Sequence, residues 1–123
     1  MFASSPQEAL TMYEKATNSH DFDNVCKLIS EDAVYFFSDE TVKGLDDLKQ
    51  YFEKTWSYIK EEVYKMNDVM WIAVDETSAV CIYQFHWQGM IEGSLREGKG
   101  RGTNVFRKQD HVWKVAHEHL SPI

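Results

Sequence analysis

Apolar residues return at helical spacing through the first half of the chain and at alternate positions through much of the second. Ala9, Leu10, Tyr13 and Ala16 share one helical face. Ser5, Pro6 and Glu8 precede them as a capping box with proline in the first turn. The spacing therefore predicts a helix from Ser4 or Ser5 to about Asn18. Ser19-His20-Asp21 interrupts it, and Asp21 can cap a second helix with Phe22, Val25, Cys26, Leu28 and Ile29 on its apolar face. Glu31-Asp32 is read as a polar turn. Ala33 to Phe37 is then a short, continuous, aromatic strand, and Val42 a brief return strand after Ser38-Asp39-Glu40. Gly44 opens a third helix, in which Leu45, Leu48, Tyr51, Phe52, Thr55, Trp56 and Ile59 form one stripe.

From Glu61 onward the pattern is that of strands. Glu61 to Val74 and Ala79 to Ile91 are separated by a turn at Asp75 to Ser78. Glu92 to Gly98 is read as a polar, glycine-bearing loop. A C-terminal hairpin follows, with strands over Arg101 to Lys108 and Val112 to Leu120 and a turn near Gln109-Asp110-His111. Apolar groups occupy both parities of this hairpin, so both of its faces should be covered. Helices first and antiparallel strands afterwards argue for an α+β domain. The expected shape is a cone-shaped, curved antiparallel sheet wrapped around three helices.

Composition narrows the functions open to such a fold. The 123 residues suit a single domain, 1–123, and 14% of them are aromatic, enough for both a core and a pocket wall. The formal net charge of −7 disfavours nucleic acid and anionic membranes, which need a basic footprint. No apolar run is long enough to span a bilayer. MFASSPQEAL lacks the basic and apolar regions of a secretory leader, so the expected compartment is the cytoplasm. Cys26 and Cys81 have no partner spacing and read as free, buried thiols.

Candidate chemistry is sparse. His117 and His119 form an H-x-H on one strand face, but His20, His86 and His111 have no diagnostic spacing to them. A packing role outweighs a metal site, and no metal or cofactor is expected. Gly98-x-Gly100-x-Gly102 precedes a strand rather than a helix, so it lacks the helix N-terminus that holds a phosphate. It is read as permitting a bulge or bend. Glu118 lies among apolar residues in a strand. Burial would raise its pKa unless Arg101 or Lys114 paired with it, which is the expected arrangement. The basic group Lys99, Arg101, Arg107 and Lys108 could contact an anionic molecule or a protein partner.

Three stretches carry a family resemblance. They are Gly44-Leu-Asp46 with Tyr51-Phe52-Glu53 and Trp56, then Glu76 to Ile82, then Thr103-x-Val105 with Arg107-Lys108, Asp110, Trp113-Lys114-Val115, His117, His119 and Ser121. Together they resemble the nuclear transport factor 2-like (SnoaL/ketosteroid isomerase-like) superfamily, and within it the association domain of calcium/calmodulin-dependent protein kinase II. The resemblance implies a cystatin-like cone with a deep pocket and sheet-mediated dimers. It implies no kinase activity, for the chain has no kinase signature. In the association domains basic residues point into the cone. The matching positions here are His86, Asn104 and Leu120, faced by Leu48, so the arginines of that family are missing.

The expected pocket is therefore lined by Tyr35, Phe37, Leu48, Phe52, Trp56, Ile82, Gln84, His86, Asn104, Glu118 and Leu120. A partner copy is expected on the other face, against Phe85, Trp87, Val105, Trp113 and His117. A bulge after Gly102 would exchange part of this assignment. The first functional expectation is an oligomerising domain that binds a small molecule. The alternative is a small isomerase, cyclase or dehydratase acting on a compact apolar carbonyl compound, with His86, Tyr35 or Glu118 as acid or base. Ketosteroid isomerases of this fold combine an Asp base with Tyr and protonated Asp donors. No catalytic residue of this chain can be matched to theirs.

Overall fold

The structure is a computed structural model and describes residues 2–123. Its elements are α1 (Pro6–Asn18), α2 (Phe22–Cys26), β1 (Ile29–Phe36), β2 (Thr41–Lys43), α3 (Leu45–Tyr58), β3 (Lys60–Val74), β4 (Ser78–Ile91), β5 (Ser94–Gln109) and β6 (Val112–Pro122). The six strands form one sheet in the order β2-β1-β6-β5-β4-β3. All neighbours are antiparallel except β1 and β6, which run parallel. The architecture is α+β, with a curved sheet and helices on its concave side.

The helices begin where their caps predict. The Ser5 side chain accepts from the Glu8 backbone N–H at 3.1 Å, and the Asp21 side chain from Asp23 N–H at 3.0 Å. α1 buries Ala9, Leu10, Tyr13 and Ala16, and α3 buries Leu48 and Phe52. Two boundaries differ from the sequence reading. The second helix ends at Cys26, and Ile29 already belongs to β1. Glu31-Asp32 is not a turn but the irregular part of β1, where the pairing with β6 shifts register between Ile29 and Val34. The supposed loop Glu92 to Gly98 is instead a hairpin, because only Glu92 and Gly93 leave the ladder, both at positive φ. β4 and β5 then pair without a break from Ser78↔Arg107 to Ile91↔Ser94.

β3 is an edge strand, yet α1 covers part of that edge. Asn18 exchanges two bonds with the backbone of Tyr64, at 2.7 and 2.8 Å. Glu14 Oε2 accepts from Met66 N–H at 2.8 Å, and His20 Nε2 lies 2.8 Å from the Glu62 carbonyl. Residues 62, 64 and 66 present their backbone groups on one side of the strand, so a single helix end satisfies them in succession. An uncovered edge would invite pairing with another chain. The same contacts hold β3 over the concave face.

The expected bulge after Gly102 lies elsewhere. In β6 the pairing steps from Val105↔His117 to Phe106↔Val115, leaving Ala116 as the extra residue. Trp113 and Val115 therefore face the core from one side of the bulge, and Glu118 from the other.

Candidate functional site

Alternation along β4 decides what faces the cone. Ala79, Cys81, Tyr83 and Phe85 are buried, while Ile82 and Gln84 are exposed and His86 is half-exposed. Cross-strand pairing explains why large rings fit on the inner side. Tyr83, Phe85 and Trp87 stand opposite Gly102, Gly100 and Gly98 of β5. A methyl group at any of these glycines would overlap the ring opposite it. The glycines thus make no bulge in this ladder. They leave a trough in which three aromatic side chains lie across β5. On the outer side the same pairs are Ile82↔Thr103, Gln84↔Arg101 and His86↔Lys99, a solvent-facing set.

Above this trough the cone encloses a cavity of about 570 Å³. Helix α1 contributes Tyr13 and Thr17; α3 contributes Phe52, Thr55 and Trp56. The sheet contributes Glu62, Tyr64, Phe85, Trp87, Glu118 and Leu120. Phe37 and Tyr51 stack at 3.8 Å on one flank, and the Tyr51 hydroxyl donates to Asp39 Oδ1 at 3.0 Å. Trp56 stacks on His20 and meets Phe52 edge-on, each at 5.5 Å between ring centres. Lys54 and Lys99 reach the cavity but are exposed.

Glu118 is the chemical centre of this cavity. Its cross-strand neighbours are Tyr35 of β1 and Asn104 of β5, and it is 4% exposed. No partner closes a hydrogen bond on its Oε1 atom. Burial pushes its pKa up to about 7, against a smaller opposing pull from the polar groups of Asn104, Tyr13 and Tyr83. The expected salt bridge to Arg101 or Lys114 does not form. The one ion pair among the described residues is His86 with Glu97, at 3.2 Å on the outer face. Glu62 is a second carboxyl in the cavity, also lifted by burial to about 7.

Around Glu118 the phenols form a donor set. Tyr13 and Tyr35 share a buried hydrogen bond at 2.8 Å, and Tyr83 donates to Asn104 Oδ1 at 2.7 Å. Burial, and then the Glu118 charge, hold Tyr13, Tyr35, Tyr64 and Tyr83 well above the ordinary phenol range, so they remain protonated. Tyr64 OH, Thr17 Oγ1 and Asn104 Nδ2 are buried without partners. Burial also pushes the Cys81 thiol up to about 12, which leaves it unreactive, and Cys26 is free and half-buried.

The sequence-derived pocket set is divided by this geometry. Phe37, Phe52, Trp56, Glu118 and Leu120 line the cavity. Tyr35, Leu48 and Asn104 are fully buried behind its wall. Ile82, Gln84 and His86 are on the opposite face, so His86 cannot act in the cone. The sequence-derived partner face needs the matching correction. Phe85, Trp87 and Trp113 point inward, leaving Val105 and His117 outside. His117 Nδ1–H donates to the Val34 carbonyl at 2.6 Å, and His117 and His119 both pack edge-on against Phe36. Tyr13, Thr17, Glu62 and Tyr64 were missed as cavity residues. The glycine triplet facing an aromatic triplet was a legible signal for Phe85 and Trp87.

Solved structures share this fold at low identity. A protein from Xanthomonas campestris, provisionally named a calcium/calmodulin dependent protein kinase II association domain, superposes with TM-score 0.82 at 20% identity, covering 93% of this chain and 82% of its own. A nuclear transport factor 2-like superfamily protein from Salmonella enterica gives 0.85 at 17%, covering 94% and 86%. A protein from Novosphingobium aromaticivorans, provisionally named a scytalone dehydratase, gives 0.84 at 16%, covering 97% and 82%. No curated protein matches the sequence. The profile of the SnoaL-like domain matches residues 7–123, and the chain, with its cone of helices and curved sheet, belongs to that family.

Proposed function

We propose that this domain binds a compact, mainly apolar small molecule in the cone and holds one polar group of it against Glu118. The observation that carries the reading is the buried, unpartnered Glu118 Oε1 at the edge of a 570 Å³ cavity. A buried polar atom with no protein partner is costly, and a ligand group relieves that cost. Pockets of this size and largely apolar character suit small organic ligands. The test is a thermal-shift screen of small aromatic ketones, alcohols and amines, with Leu120→Trp as the variant that fills the cone. Compounds that raise the wild-type Tm should leave Leu120→Trp unmoved. Equal shifts in both proteins would place the binding elsewhere.

Self-association is part of the same proposal. Phe36, Met70 and Ile82 are 40%, 59% and 38% exposed on the outer sheet face, beside the half-buried Val105. A second copy would cover them. Light scattering at micromolar concentration should report a dimer, and Ile82→Lys a monomer. A monomeric wild type would refute this part.

The alternative, acid–base catalysis on a small carbonyl compound, is favoured by one observation. Two carboxyls that titrate near neutrality share the cavity, where a proton donor and a proton acceptor work best. Exchange of the α-protons of bound ketones, followed by NMR, tests it. Exchange should disappear in Glu118→Gln and persist in Glu118→Asp. Exchange unchanged in Glu118→Gln would remove Glu118 from the chemistry.

A further inference from the structure

Granting that the cone is a ligand site, we infer that its ligand is a cation: a protonated amine on a compact apolar skeleton, with the ammonium seated against the Glu118 carboxyl in the cavity that Glu62 also lines. The cavity holds two buried carboxyls and no buried counter-charge. Neither carboxyl is ion-paired, since the single ion pair of the described residues lies on the other face of the sheet. Lys54 and Lys99 reach the cavity only as exposed residues. The unpartnered Glu118 Oε1 is joined by two further buried oxygens without partners, Thr17 Oγ1 and Tyr64 OH, and both residues line the same cavity. An ammonium carries several N–H donors and no acceptor. The ionised carboxylate can only accept and the two hydroxyls accept as well as donate, so an ammonium can donate to any of the three, whereas a carbonyl oxygen pairs only with the hydroxyls. Tyr13, Tyr64, Phe85 and Trp87 add aromatic surface, and a desolvated cation is attracted to ring faces. The net charge of −7 favours its approach from solution.

The groups facing Glu118 set the direction of the pH response. Tyr13 comes from α1, Tyr35 from β1, Tyr64 from β3, Tyr83 and Cys81 from β4, and none of them is a cation; Glu62 of β3, elsewhere on the cavity wall, is a second acid. An ammonium binds the ionised carboxylate and drives its proton off, so affinity rises with pH until Glu118 is ionised in the free protein. A neutral carbonyl ligand needs the protonated acid as a donor, so its affinity falls over the same range. The two ligand classes therefore give slopes of opposite sign.

Calorimetric titration of the full chain with β-aminotetralin and β-tetralone tests the inference, because the two probes share one bicyclic skeleton and differ in the polar group. Measured between about pH 5.5 and about pH 8.5, amine affinity should rise by about tenfold per pH unit and flatten above about 7, with a proton released on binding. At the alkaline end the amine should bind at least about tenfold tighter than the ketone. Glu118→Gln should weaken the amine by about tenfold or more and leave the ketone within about threefold. Glu62→Gln should weaken the amine in the same direction. Ketone binding that falls with pH, with no preference for the amine, would overturn the cation and keep the cone as a ligand site. If neither probe binds, the cone reading falls and takes this inference with it. The wild-type pH series decides between amine and ketone even if a variant fails to fold.

Discussion

The two faces of β4 carry opposite kinds of side chain and meet opposite fates. Inward, Tyr83, Phe85 and Trp87 lie over glycines and build the cavity wall. Outward, Gln84 and His86 stand over Arg101 and Lys99 in solvent. His86 and Glu118, the two titratable strand residues most open to a catalytic reading, show the same division. His86 finds an exposed partner in Glu97, whereas Glu118 is buried with an oxygen unpaired. Residue type and the strand across the ladder agree: the aromatic set lies over glycines and is inside, and the polar set stands beside long basic side chains and is outside.

The largest test of that contrast is steric. Gly100→Leu places a side chain where the Phe85 ring and the Ser121 carbonyl already sit, and should cost about 3 kcal/mol or more in urea unfolding. Arg101→Leu, one residue along and facing out, should stay within about 0.5 kcal/mol. Equal effects would break the comparison.

The next test uses pH. Glu118 titrates near 4.5 when unperturbed and about 7 when folded. The folded protein holds the proton more tightly than the unfolded chain, so stability falls as pH rises from about 4.5 to about 7 and is flat above. For this one group the loss is on the order of 3 kcal/mol, and Glu62 adds in the same sense. Glu118→Gln should flatten its share of the slope in denaturation curves taken across that range. A stability that climbs with pH over the range would mean that Glu118 is solvated or paired.

Smaller effects sharpen the picture. Tyr83→Phe removes the bond to Asn104 Oδ1 and leaves that buried amide without its partner, at about 1–2 kcal/mol. Asn18→Ala frees the Tyr64 backbone and should cost about 1 kcal/mol, with faster amide exchange at Tyr64. His86→Ala should be the mildest, within about 0.5 kcal/mol, since the Glu97 pair is exposed.

Much of the fold was legible. The capping box at Ser5, the stripe of Leu48 and Phe52 and the order of helices before strands identify the elements, because caps and periodicity act over a few residues. The site was legible only in part. Phe52, Trp56 and Glu118 reach the cavity as expected from the sequence, but the parity of β4 was read the wrong way, exchanging Gln84 and His86 with Phe85 and Trp87. The alternation of Tyr83, Phe85 and Trp87 with Gln84, His86 and Gln88 itself puts the aromatic set inside, whereas the family resemblance pointed to the polar set. A non-local cue agrees with the alternation: Gly98, Gly100 and Gly102, 11 to 19 residues on, stand opposite the inner set.

The sequence by itself determined the elements, the absence of a basic footprint and the membership of a curved-sheet family, since these follow from local spacing, charge and motif. Tertiary structure alone decided three things. The extra residue at Ala116 turns Glu118 inward past Trp113 and Val115. The end of α1 binds the free edge of β3 and brings Glu62 and Tyr64 over the cone. Burial without a counter-charge then lifts the Glu118 pKa to about 7. Each depends on groups far apart in the chain, and proximity of that kind is written in no single stretch of residues.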